Sequence, residues 1–133
     1  MRRKVKYMNY EAYRIVNYAN YLLDSKGLTK ETKEDVESIV EFVLLKNKMY
    51  YGFIIDANGN RLYLINTSEK LNIKPKSVFR KHNDVTKSLI YLFQKSNISK
   101  VLLIKMMEEC DHFYMDLKNV ELDGEFIKKM EER

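Results

Sequence analysis

The sequence predicts an α+β fold: a predominantly helical single domain, residues 1–133, carrying one β-hairpin over residues 50–66. Three observations carry this. Apolar residues recur at three- and four-residue spacing in several segments, which is the signature of amphipathic helices. Two runs rich in aromatic and β-branched residues flank Asn58-Gly59, a dipeptide that favours a tight hairpin turn. Four glycines and one proline in 133 residues leave little room for linkers, and 45% apolar residues are enough for one core without metal or disulfides.

The first helix is expected from Asn9 to Lys26. Ala12, Ile15, Val16, Ala19, Leu22 and Leu23 form its apolar stripe, Asn9 serves as the N-cap, and Gly27 with Leu28 makes a left-handed stop. A second helix begins at Lys30 or Lys33, capped by Thr29 or Thr32, and runs to Lys46 with Val36, Ile39, Val40, Val43 and Leu44 inward. Acids crowd its start and Lys46 and Lys48 its end, as the helix dipole prefers. A short connection makes these two helices an antiparallel pair.

The hairpin strands are Tyr50 to Asp56 and Arg61 to Asn66. A two-residue type I′ turn at Asn58-Gly59 sets Asp56 opposite Arg61, Ile55 opposite Leu62 and Phe53 opposite Leu64. Tyr51, Phe53, Ile55, Leu62 and Leu64 then share one face. Asp84 to Lys95 follows as a helix with Asn83 as cap and Val85, Leu89, Leu92 and Phe93 on one side. Residues 99–110 fit either a helix, through Leu103, Met106, Met107 and Cys110, or a buried strand over Val101 to Ile104, and the helix is preferred. Alternation from Phe113 to Lys118 suggests a third strand extending the hairpin, and Gly124 opens a short terminal helix that frays.

The net charge of +5 is unevenly spread. From Glu108 to Arg133 nine acids stand against four bases, so this acidic segment carries −5 and the first 107 residues +10. A basic body with a basic arm over residues 1–8 suits nucleic acid or another polyanion. The single Cys110 excludes an internal disulfide framework and suits a reducing cytoplasm. No apolar run is long enough for a membrane span, and no apolar signal core follows the basic start.

Two groups of residues are candidates for binding. Thr67 to His82, TSEKLNIKPKSVFRKH, reads as two short helices with a tight turn: Ser68 is small at the crossing, Asn72 takes the turn, and Ile73 and Val78 point inward. Pro75 suits a first helical position, so Lys76 and Ser77 lie at the start of a second, cationic helix with Lys74, Arg80 and Lys81 beside them. Arg2, Arg3 and Lys4 supply phosphate contacts from the N-terminal arm. One position departs from the pattern, because Lys81 stands where a second apolar anchor is expected. The other group is a face of the first helix, Tyr10, Arg14, Asn17 and Tyr21, which fall within about 60° of one another at 100° per residue. Tyr, Arg and Asn are the residue types of protein recognition surfaces.

The 67–82 segment resembles the helix-turn-helix DNA-binding superfamily over roughly 16 residues. That resemblance implies flanking helices and a regulator that binds double-stranded DNA reversibly through Lys74, Lys76, Ser77, Arg80 and Lys81, commonly as a homodimer, here through the first helix's face or the C-terminal segment. The hairpin precedes the motif, unlike the commonest winged arrangement. A second reading is a small inhibitor or adaptor that docks on a host protein through Tyr10, Arg14, Asn17 and Tyr21. Richness in Lys, Asn and Ile fits an AT-rich genome such as that of a phage or plasmid. Gly52-Phe53-Ile54, Tyr63-Leu64-Ile65 and Arg80 also resemble, weakly, GIY-YIG endonucleases, with Glu109, Glu121 or Glu125 in the metal-binding place, although Ile54 and Ile65 depart from those motifs. His82 and Cys110-x-His112 supply too few ligands for a zinc site, and glycine-rich phosphate loops and hydrolase motifs are absent. The expectation is therefore a binding protein, not an enzyme, with no metal and no cofactor.

Overall fold

The structure, a computed structural model, describes residues 10–65, 84–110 and 120–132. Within them the order is α1 (Tyr10–Leu23), α2 (Lys30–Lys46), β1 (Tyr51–Ile55), β2 (Arg61–Ile65), α3 (Asp84–Lys95), α4 (Lys100–Cys110) and α5 (Gly124–Glu131). Five helices and a two-stranded antiparallel hairpin make this an α+β domain, as the sequence predicts. No helix among the described residues is long and apolar enough to cross a membrane. The third strand expected at 113–118, the Asn9 and Asn83 caps and the 67–82 segment lie outside the described residues.

Helix α1 stops at Leu23, three residues before the expected end. Asp24 N still bonds to Asn20 O, but Ser25 N tightens onto Leu22 O, and Gly27 takes the predicted left-handed conformation at φ +81°. Helix α2 starts at Lys30 because Thr29 is the cap, its hydroxyl accepting from the Thr32 amide at 3.2 Å. Its C-terminus closes as a Schellman motif: Met49 N bonds to Leu44 O and Lys48 N to Leu45 O, which forces Lys48 to φ +54°. For 99–110 the helix holds, with the Ser99 hydroxyl accepting from the Leu102 amide; Leu102, Leu103, Met106 and Met107 turn inward while Val101 faces solvent. Asp123 caps α5 through the Phe126 amide. Phe126 and Met130 are buried, so α5 is docked along its length.

The hairpin departs from the predicted register by one residue. Phe53 pairs with Tyr63, Ile54 with Leu62 and Ile55 with Arg61. A type I′ turn would need positive φ at both Asn58 and Gly59, and only Gly59 has it, at +80°. The Asp56 carboxylate explains the choice: it accepts from the amides of Asn58 and Asn60, both at 2.9 Å, while Gly59 N bonds to Asp56 O and Asp56 N to Asn60 O. The result is a type I turn followed by a left-handed glycine, a three-residue loop.

That one-residue difference reverses β2 relative to β1. Tyr63, not Leu62 and Leu64, shares the inner face with Tyr51 and Phe53, and it is 1% exposed. Leu62, Leu64 and Ile54 turn outward, at 37%, 50% and 52% exposure. The core lies among α1 to α4, with Ile15, Ile39, Val43, Leu89, Leu103 and Met106 fully enclosed and Tyr63 closing its hairpin side. Helix α3 packs on α1, α2, α4 and α5, which is why Ile90, Thr86 and Ser88 are buried beside the predicted stripe.

Candidate functional site

Asn20, on α1, fixes the hairpin to the helices. Its amide nitrogen donates to Tyr63 O at 3.0 Å, and its amide oxygen accepts from Tyr63 N at 2.8 Å. These backbone groups are free for Asn20 because Phe53 and Tyr63 form a non-hydrogen-bonded pair of the ladder, whose N–H and C=O point away from the partner strand. One side chain thus occupies the β2 edge as a neighbouring strand would. Below it, Tyr63 donates its hydroxyl to Glu41 at 2.9 Å, and Arg61 bridges Glu37 at 3.0 Å and Glu41 at 2.9 Å. The Arg61 guanidinium also lies 4.4 Å from the centre of the Phe53 ring. Burial is the main cause that raises the Tyr63 phenol far above its ordinary value, and the neighbouring Glu41 adds to it.

Beside this anchor the surface holds two shallow depressions that meet at Asn17. One, lined by Tyr13, Arg14, Asn17, Tyr18 and Glu109, lies between α1 and α4. Burial and the two acids Glu109 and Glu108 raise the Tyr18 phenol there. The other, about 550 Å³, is lined by Asn17, Asn20, Tyr21, Asp24, Asp56, Arg61 and Leu62, and so spans α1 and the hairpin. Tyr21 stands over it at 69% exposure, its ring 6.3 Å from that of Tyr18 and tilted by 19°. Of the predicted helix face, Arg14, Asn17 and Tyr21 therefore come together at this surface; the Tyr10 side chain lies outside the described residues. Sequence reasoning missed Leu62 and Leu64, which the shifted register brings to the same side. It also missed Asn20, whose signal was a poor helix former at the margin of the apolar stripe.

The residues proposed for DNA, Arg2, Arg3, Lys4, Lys74, Lys76, Ser77, Arg80 and Lys81, all lie outside the described residues. The described residues hold thirteen bases and sixteen acids, a net of −3, so the remaining positions carry the other +8. The described residues are thus mildly acidic, and the cationic excess lies in positions 1–9 and 66–83 of the sequence. Among the described residues no group of three or more His, Cys, Asp or Glu side chains is placed to hold a metal ion. Tyr63, part of the weak nuclease resemblance, has its hydroxyl committed to Glu41. No family model, curated protein or solved structure matches this chain.

Proposed function

We propose that this chain works by binding another protein, as a small adaptor or inhibitor, through the surface shared by α1 and the outer face of the hairpin. The observation that carries the reading is the junction at the second depression, where exposed Tyr21 and Leu62 line one groove and exposed Leu64 and Ile54 share the outward face of the hairpin with Leu62. A solvent-facing aromatic beside clustered aliphatics is the composition of an interface centre. Asp24 and Asp56 rim the groove, so the partner it fits presents an apolar patch flanked by Lys or Arg.

The test is capture by the immobilised protein followed by calorimetry with the identified partner. Tyr21→Ala and Leu64→Ser each weaken binding by roughly 10-fold or more, as central interface positions do, without changing the melting temperature. Undiminished affinity in both variants would remove this face from the proposal.

DNA binding is the second reading, favoured by the +8 carried by positions 1–9 and 66–83 and by the helix-turn-helix-like pattern at 67–82. Here log affinity for duplex DNA falls with log salt at a slope of about −0.9 per phosphate contacted. Replacing Lys76 and Arg80 by alanine flattens that slope, whereas Tyr21→Ala leaves it unchanged. Lack of DNA binding at low salt discards this reading.

A further inference from the structure

The two edges of the hairpin are treated differently. Asn20 satisfies the edge of β2, but among the described residues no comparable cap sits on β1. Asp56 N bonds to Asn60 O, so the hydrogen-bonded pairs of the ladder continue through Ile54–Leu62 and Gly52–Leu64. The N–H and C=O groups of Tyr51, Phe53 and Ile55 consequently point away from β2, along an edge with which no described residue pairs. Natural edges are usually blunted by lysine, proline or a bulge. Residues 50–55, Tyr-Tyr-Gly-Phe-Ile-Ile, contain no charge and no proline, and Tyr50, Phe53, Ile54 and Ile55 are 85%, 41%, 52% and 58% exposed.

We infer that this edge pairs with the same edge of a second copy, forming a four-stranded antiparallel sheet across a two-fold axis at Phe53. The outward groups fit that register. Phe53 exchanges both hydrogen bonds with its counterpart, and Tyr51 does so with Ile55 of the other copy, about six bonds in all by the antiparallel pattern. Ile54 falls opposite Gly52, where a Cβ would meet nothing within 4 Å, so the branched side chain has room. Beyond the strands, Tyr50 is set opposite Asp56 of the other copy, a phenol donor against a carboxylate. No ionised side chain of β1 opposes another. A two-stranded ribbon gains support from additional strands, and the outer faces with Leu62 and Leu64 join into one surface. The inference rests on the hairpin edge and stands apart from the partner-binding reading.

Sedimentation equilibrium from about 5 to 200 µM decides it. The mass rises from 16.0 kDa toward twice that value with concentration, and the Tyr51, Phe53 and Ile55 amides become protected from hydrogen exchange over the same range. Gly52→Lys, at an exposed site with open space around it, weakens the dimer at least 100-fold while retaining the parent's circular dichroism; Phe53→Pro, which deletes the central N–H, does the same. Tyr21→Ala leaves the dimer intact, so the two readings fail separately. A monomer at every concentration overturns the inference, and so does a dimer that Gly52→Lys leaves as tight as before.

Discussion

Asn20 shows how much one side chain settles when it meets the backbone of another element. Its amide supplies one donor and one acceptor to the two groups of Tyr63 that the hairpin leaves unpaired. Alanine there strands both in a partly buried place, and an unsatisfied buried group costs about 1–3 kcal/mol. Asn20→Ala is therefore expected to lower stability by roughly 2–3 kcal/mol in urea unfolding, with faster exchange of the Tyr63 amide. Asn20→Asp keeps the acceptor but turns a carboxylate oxygen toward Tyr63 O, and should be no better than alanine. If both variants unfold at the parent's urea midpoint, water replaces the amide at this edge. The sequence displayed the Asn at the margin of an apolar stripe but not its partner, since Tyr63 is 43 residues distant and its orientation depends on the turn.

At the scale of elements, the helices were legible because their evidence is repeated several times along each one. All five residues predicted inward on α2 are fully buried, and a mistaken reading of any single position would not have moved the stripe. The hairpin rests on one turn. Asn58-Gly59 signals a two-residue loop, yet the Asp56 carboxylate offers two amides a partner and favours the three-residue alternative. With period two, that single residue exchanged the inner and outer faces of β2, so the α1 part of the candidate surface was readable and the hairpin part was not. Lys48 is a second local signal hidden by the general rule that helices end at glycine. The Schellman bonds hold it at φ +54°, where a Cβ costs about 1–2 kcal/mol relative to the right-handed region. Lys48→Gly relieves that strain but adds unfolded-chain entropy, so a net gain of about 0.5–1 kcal/mol is expected in thermal unfolding. A loss would mean that the lysine stem makes packing contacts worth more than the strain.

At the scale of the whole molecule, stability at alkaline pH joins the buried network to the tyrosine-rich composition. Ten tyrosines are present, and burial raises the phenols of Tyr18, Tyr51, Tyr63 and Tyr91, Tyr63 the most. A raised phenol means that the folded chain keeps its proton while the unfolded chain, titrating near 10, gives it up. The contribution of each such group is complete below pH 10 and is lost as pH rises from there toward the folded value, because the native state then binds more protons than the unfolded one. For Tyr63 alone the linkage amounts to about 1 kcal/mol between pH 9 and 11. Tyr63→Phe removes the titrating proton and the hydrogen bond to Glu41 together. It should be less stable than the parent by about 1 kcal/mol at pH 8, yet lose less between pH 9 and 11 in urea unfolding. The two stability curves therefore converge as pH rises. Parallel curves would locate the alkaline sensitivity in the other raised tyrosines, Tyr18, Tyr51 and Tyr91, and would leave the Tyr63–Glu41 contact a matter of packing without a bearing on protonation.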